Sequence, residues 1–174
     1  MEVFRHSAFT RPGRSMRTSA PWATTDTAVS IVIIQGPHAD GLASGELQRN
    51  LQQLANAAGR TLELFRCSGL RDFVACVRSM KRRPSEFMLL DPGQLGPEAA
   101  AHPEAGLSDA LDEVATPYVE VHDDTSTELG VQPGQHHAPV ATVIIHGDLG
   151  RSYRIGLGIA LRRLGDKGTT TCTV

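Results

Sequence analysis

A glutamate and a histidine stand two residues apart at the end of a run of strand-forming residues, the segment PYVEVH at 117–122. Because side chains repeat with a period of two along a β-strand, Glu120 and His122 are predicted to share one face. A carboxylate beside an imidazole can fix the tautomer of the ring and raise its pKa, as a general acid requires. The alternative is a surface strand end with ordinary solvated polar side chains.

Short apolar runs predict the strands that would position such side chains, and they cover residues 29–34, 61–65, 87–90, 117–122 and 141–145. Apolar residues at helical spacing predict helices, with stripes formed by Leu47, Leu51, Leu54 and Ala58; Leu70, Phe73, Val77 and Met80; Leu107, Leu111 and Val114; and Tyr153, Leu157, Ala160 and Leu164. The Gly-, Pro- and Ala-rich segment after Gly93 and the segment 123–139 are predicted to be loops.

Strands and helices alternate at short spacing, which predicts an α/β fold with a doubly wound five-stranded parallel sheet and helices on both faces. In such sheets, ligands bind beyond the carboxyl ends of the strands. The predicted strands end near His38, Asp91, Glu120 and His122, so these side chains are expected around one crevice. His146, which follows the last strand, is a further candidate.

Length and composition predict one folded domain, residues 29–164, between two tails. Residues 1–28 are rich in Arg, Ser and Thr without a sustained period, and we expect a flexible tail there rather than a transit peptide. Residues 165–174 are predicted to be a frayed C-terminal tail. Glycines at 147–150 and 156–158 are best explained by close helix–sheet packing, since the first strand lacks the dinucleotide-binding pattern.

The overall charge argues against several classes of partner. A formal net charge of −2 gives no reason to expect nucleic acid or an anionic membrane. The chain also has no apolar run near the ~20 residues of a membrane span. Three cysteines without metal-type spacing favour a reduced, cytoplasmic protein.

The ordered segments IVIIQGP at 31–37, LLDPG at 89–93, TPYVEVHDDTS at 116–126 and HAPVATVIIHGDLGRSYRIGLGIAL at 137–161 resemble the type II 3-dehydroquinate dehydratases. The resemblance covers residues 29 to about 164 and implies a flavodoxin-like fold, a hydro-lyase of the shikimate and quinate pathways, and homo-oligomers (trimers that form dodecamers). It implies no cofactor. By the same resemblance, His122 is the general acid, Glu120 orients it, and the amides around Asp123 and Asp124 grip the substrate carboxylate.

Several positions depart from the family pattern. The family has an asparagine after G-P, followed by a lid with an arginine and the proton-abstracting tyrosine, whereas this chain has His38 and a short segment at 39–44. The family asparagine at the end of the third strand is Asp91 here. Residues 123–138 contain no Arg or Lys. His38, Asp91, Asp123 and Asp124 would therefore line the substrate site without cationic partners.

Three hypotheses follow from these departures. The first is a scaffold with lost or strongly reduced dehydratase activity, a pseudoenzyme that could still bind a small carboxylate. The second is an active dehydratase whose base is His38, His102, or a residue of the tail or of a neighbouring subunit. The third is a metal or other small-ligand site at the same cleft, drawing on ligand-type residues at the strand ends, namely His38, Asp91, His122, Asp124, His136, His137 and His146. We expect no bound metal, because the spacing matches no compact metal motif.

Overall fold

A computed structural model describes residues 31–38, 45–83, 85–124 and 138–168. The predicted tail at 1–28, the short segment at 39–44 and most of the predicted loop at 123–139 lie outside these ranges. Within the described part of the chain, no helix has the length and apolar character needed to cross a membrane.

The described residues form five strands and five α-helices in near alternation. The strands are β1 (Ile31–Gln35), β2 (Leu62–Arg66), β3 (Phe87–Asp91), β4 (Tyr118–His122) and β5 (Ala141–Ile144). The helices are α1 (Gly45–Ala57), α2 (Leu70–Ser79), α3 (Leu95–Ala101), α4 (Leu107–Glu113) and α5 (Leu149–Gly168), with a 3₁₀ turn at Pro103–Ala105.

The strands pair in the order β2-β1-β3-β4-β5, and every neighbouring pair is parallel. The predicted doubly wound sheet is therefore confirmed. The chain passes from β1 outward to β2 and then returns to β3, so the order reverses between β1 and β3. A topological switch point of this kind is where open α/β sheets leave room for ligands.

Two apolar clusters cover the two faces of the sheet. One face packs against α2, α3 and α4 through residues such as Phe73, Leu95 and Leu111. The other face packs against α1 and α5 through residues such as Leu51 and Leu157. The strands β1 and β3 lie in the middle and are buried along their whole length, as their nearly continuous apolar sequences predict.

The predicted stripes of α2 and α5 are buried as expected, but the stripe of α1 is partly wrong. Leu54 is 45% exposed, whereas Ala55, which was not part of the predicted stripe, is fully buried. The helix thus buries the single row Leu47, Leu51 and Ala55, with Leu47 only partly covered. Leu54 lies to one side of that row and faces solvent.

Two predicted boundaries also differ from the structure. Part of the segment predicted to be a loop after Gly93 forms α3, because Pro97 falls in the first turn, where a helix does not need its missing N–H. Three alanines then favour the helix at 99–101. In addition, α5 continues to Gly168, past the predicted end of the domain at residue 164.

Glycine allows two very close approaches that shape the carboxyl edge and the α5 face. A Cβ atom on Gly36 would lie 2.2 Å from the carbonyl oxygen of Pro92, so the turns after β1 and β3 touch through their backbones. A Cβ atom on Gly156 of α5 would lie 2.8 Å from Val121 Cγ1. Close helix–sheet packing is thus confirmed as the reason for Gly156, but it is wrong for Gly147, where a Cβ atom would meet nothing within 4 Å and the positive φ of 68° favours glycine instead.

Replacing Gly36 with alanine should destabilise the fold. The methyl group would collide with main-chain atoms rather than with a mobile side chain, and overpacking of this kind costs roughly 1–3 kcal/mol. Denaturant unfolding measures the loss. Gly69→Ala is the matched control, since a Cβ atom there meets nothing within 4 Å. Equal stability of the two variants would contradict the close approach.

Candidate functional site

The carboxylate of Asp91 is the centre of a buried polar network at the carboxyl end of β3. Its Oδ2 atom accepts hydrogen bonds from Tyr153 Oη at 2.5 Å, His38 Nε2 at 2.8 Å and Gln35 Nε2 at 3.2 Å. Its Oδ1 atom accepts the backbone N–H of Gly93 at 3.0 Å. A carboxylate removed from water requires such partners, and four donors meet that requirement.

The members of this network come from four separate parts of the chain. Gln35 and Asp91 are directly opposite each other in the β1–β3 ladder, and both are fully buried. Tyr153 reaches the same point from α5, and Gln35 Nε2 also donates to its hydroxyl oxygen at 3.0 Å. His38 follows the end of β1. Elements distant in sequence are thus tied together at the switch point of the sheet.

Burial and the neighbouring charge change the acid–base properties of Tyr153. Burial raises the pKa of the phenol well above its usual value, and the negative charge of Asp91 raises it further. Its hydroxyl group therefore keeps its proton and acts as a donor to Asp91.

His38 reaches the surface at the edge of this network, where its side chain is 8% exposed. Its hydrogen bond to Asp91 raises the pKa of the imidazole above 6.5, and the charges of Asp91 and Asp123 act in the same direction. Desolvation of the ring opposes this rise. The pair is therefore an ion pair when the ring is protonated and a neutral–anion hydrogen bond when it is not.

Glu120 and His122 form a second pair, and they share one face of β4 as predicted. His122 Nε2 lies 3.2 Å from Glu120 Oε2, and the two side chains are 0% and 5% exposed. Glu120 Oε1 is buried and has no hydrogen-bond partner among the residues that the structure describes. The main-chain oxygen of His122 accepts the hydroxyl of Ser152 at 2.7 Å, which ties α5 to the end of β4.

The expectation of one crevice is only partly met, because the sheet separates these two pairs. Asp91 is in phase with Leu89, which faces α1 and α5. Glu120 is in register with Leu90, which faces α2, α3 and α4. Side chains alternate along a strand, so the two pairs share the carboxyl edge but point to opposite faces.

The remaining predicted residues differ in burial and position. Asp123 is half-buried and close enough to influence His38, whereas Asp124 and His146 are exposed. His102 is also exposed, at the end of α3, where its Nδ1 atom lies 2.8 Å from Glu104. His136 and His137 are outside the described residues.

A metal site receives no support from the described side chains. No three of the His, Cys, Asp and Glu residues in the described ranges come together in a way that could hold an ion. The expectation for His136 and His137 lies outside those ranges.

Two members of the network were not identified from the sequence. Tyr153 was assigned to the apolar stripe of α5, and its ring is indeed in the core, but its hydroxyl group carries the contact to Asp91. Gln35 lies one residue beyond the predicted first strand at 29–34. A polar residue that ends an otherwise apolar buried strand was the available signal for it.

Solved structures share the fold of the described residues. The type II dehydroquinase of Propionibacterium acnes has a TM-score of 0.55 and 15% identity, with 78% of this chain and 98% of that chain covered. A 3-dehydroquinate dehydratase-like protein of Bifidobacterium longum has a TM-score of 0.55 and 17% identity, with coverage of 79% and 98%. The fold is therefore the flavodoxin-like α/β fold of the type II dehydroquinases.

Sequence comparison adds the family. The 3-dehydroquinate dehydratase of Glaesserella parasuis is 30% identical over 148 residues, which span 77% of this chain and 95% of the relative. The 3-dehydroquinate dehydratase 1 of Pseudomonas putida is 28% identical over 130 residues, which span 73% and 82%. No family model matches the chain. The chain belongs to the type II 3-dehydroquinate dehydratase family.

The His38–Asp91 pair should make stability depend on pH. Because the folded pKa of His38 is raised above 6.5, protonation of the ring favours the folded state. The stabilisation is complete below the unfolded pKa and disappears as the pH rises through the folded pKa. The difference in unfolding free energy between the wild type and His38→Asn should therefore be full below about pH 6 and shrink as the pH rises past the ordinary imidazole pKa of about 6.5.

Denaturant unfolding across that range measures this difference. His102→Asn is the matched control, because water screens its exposed pair with Glu104 and its removal should change stability little at any pH. A stability difference for His38→Asn that stays constant, or grows with pH, would contradict the assignment.

Proposed function

We propose that this protein keeps the scaffold of the type II 3-dehydroquinate dehydratases but has lost most or all of the dehydratase reaction by the family mechanism. The observation that carries this proposal is the position of its phenols. The chain has two tyrosines, Tyr118 and Tyr153, and each is 1% exposed. Neither is available as the mobile proton-abstracting tyrosine of the family.

The chemistry of both phenols supports the same conclusion. Burial raises the pKa of Tyr118 and of Tyr153, so both stay protonated where a base must be deprotonated. A second copy of the same chain could not supply the missing group, since it would bring the same two buried tyrosines. Loss of a general base typically lowers a rate by about 10²–10⁴-fold.

The charges at the carboxyl edge also disfavour the substrate of the family. Dehydroquinate is a carboxylate, while the edge carries Asp91, Asp123 and Asp124. Residues 123–138 contribute no Arg or Lys to offset them. A like charge a few ångströms from a bound anion costs roughly 1–4 kcal/mol at intermediate dielectric.

The acid half of the site is present but enclosed. His122 and Glu120 have the residue types and the spacing that the family resemblance implies for the general acid and its orienting carboxylate. In this structure the side chain of His122 is 0% exposed, so delivery of a proton to a leaving hydroxyl would first require the ring to become accessible.

Binding of a small carboxylate and assembly into family-type trimers or dodecamers complete the proposal.

A second candidate is an active dehydratase with a substitute base. The specific observation in its favour is the 2.8 Å contact between His38 and Asp91, which places an imidazole held by a carboxylate at the switch point. The two candidates differ in rate and in the residue on which the rate depends.

Conversion of 3-dehydroquinate to 3-dehydroshikimate should be absent or at least about 10²-fold slower than for the relative from Glaesserella parasuis assayed in parallel. The conjugated enone of the product provides the absorbance readout. Turnover within about tenfold of that relative, abolished in His122→Asn, would contradict the proposal.

Replacing Asp123 with asparagine should tighten the binding of dehydroquinate by about fivefold, roughly 1 kcal/mol, because it removes one half-exposed like charge. Titration calorimetry measures the change. Asp112→Asn, an exposed replacement on α4, is the charge-matched control and should leave the affinity unchanged. Equal affinities for both variants would show that Asp123 does not face the ligand.

A further inference from the structure

The ring of His38 is held by only one of its two nitrogens. Nε2 faces Asp91 Oδ2, whereas Nδ1 has no hydrogen-bond partner in the described part of the chain. An ionised carboxylate can only accept, so the neutral ring must keep its proton on Nε2. The lone pair is then on Nδ1, pointing away from Asp91. This is the arrangement in which a carboxylate orients an imidazole that acts as a base at its other nitrogen.

Asp91 itself is fixed more firmly than an orienting carboxylate at a surface would be. The hydroxyl of Tyr153 and the amide of Gln35 hold the same oxygen that faces His38. The backbone N–H of Gly93 holds the other oxygen, so the carboxylate cannot rotate without losing partners. Groups that must keep a reacting side chain in place benefit from this kind of support, because a small misplacement lowers the rate strongly.

We propose that His38 is a general base for removing a proton α to a carbonyl group, and that Asp91, Tyr153 and Gln35 are the residues that position it. The substrate class is a small carbonyl compound with an acidic α-carbon. The choice of 3-dehydroquinate as probe rests on the proposed function.

The proton-transfer step is balanced without a cofactor. The C–H bond at the α-carbon breaks, and its proton forms a new N–H bond at Nδ1 of His38. The electron pair of the C–H bond becomes the C=C bond of an enolate, and the carbonyl π pair moves to oxygen. Return of the proton from His38 restores the starting compound, so the step can repeat without any elimination.

The charges around His38 set the pH range of this step. Asp91 on β3 and Asp123 after β4 both raise the pKa of the ring, which makes the neutral form a stronger base. Tyr153 on α5 is protonated and donates to Asp91, while Arg66 at the end of β2 lies near Tyr153 and lowers the pKa of that phenol slightly. The exchange rate should therefore rise with pH and level off above the pKa of His38.

The rate of proton removal should exceed the rate of dehydration in this chain. The base lies on the α5 side of the sheet edge, and the enclosed His122–Glu120 pair faces the opposite side. Elimination needs an acid at the leaving hydroxyl, whereas exchange needs only the base. Exchange without elimination is thus the specific signature of the proposal.

The experiment follows deuterium incorporation into 3-dehydroquinate in D₂O by proton NMR, with the full chain as catalyst. We expect exchange at the α-carbon above the buffer rate and faster than formation of the enone. His38→Asn should lower the exchange by at least about 10²-fold. His102→Asn is the matched control, since it removes an imidazole that also lies 2.8 Å from a carboxylate, but at an exposed position. It should leave the exchange unchanged.

The pH profile separates positioning from a merely structural role. Tyr153→Phe keeps the packed ring but removes a donor from Asp91, so the full carboxylate charge acts on His38 and the inflection should move to higher pH. Asp91→Asn removes that charge and should move the inflection to lower pH. Variants that only lowered the folded fraction would reduce the amplitude of the pH profile and leave its inflection in place.

Circular dichroism measures the folded fraction of each variant. If His38→Asn does not fold, His38→Gln takes its place.

Each outcome decides the proposal. Exchange that is no faster than in buffer, that survives in both His38 variants, or that is lost in His102→Asn would overturn it. Rapid enone formation would overturn the proposed function instead, and the dependence of that rate on His38 would still decide whether His38 is the base.

Discussion

The burial of one carboxylate constrains the carboxyl edge of this molecule. Asp91 has 0% exposure at the end of a central strand, where an unpaired charge would cost several kcal/mol. The fold meets this cost with donors from β1, the turn after β1, the turn after β3, and α5. The positions of His38 and Tyr153 therefore depend on Asp91, and the loss of any one donor would leave the charge less well compensated.

Under the proposed function, this chain keeps the fold of its family without the family's reaction. The parallel sheet and the strand order agree with membership of the dehydratase family. At His38 and Asp91, where the family resemblance implies amides, this chain has an imidazole and a carboxylate in direct contact. The two side chains therefore bind each other. The carboxyl edge of this scaffold thus carries two ionisable side chains in contact with each other.

Sequence patterns predicted the sheet and most helices because burial in an α/β fold leaves a strong periodic signal. The continuous apolar strands β1 and β3 and the stripe Leu70, Phe73, Val77 and Met80 are examples. The shared edge was also predictable, since parallel strands all end on one side. The faces were not, because Leu90 pairs with Glu120 and Gln35 with Asp91 only through the register, which a single sequence does not encode. For the same reason Tyr153 was recognised as core, while the partner of its hydroxyl group was not.

The spacing between α5 and the sheet has a consequence for how this protein can change. Tyr153 lies one helical turn before Gly156, and the missing side chain of that glycine lets the helix axis approach Val121 closely. The distance from the helix to the sheet therefore determines whether a phenol of fixed length can reach Asp91. Gly156, which has no side chain, thus sets the helix–sheet distance on which the polar network depends. Substitutions that move α5 away from the sheet would therefore also break the contact between Tyr153 and Asp91. Changes in the packing of this helix and changes in the polar network are linked in this way.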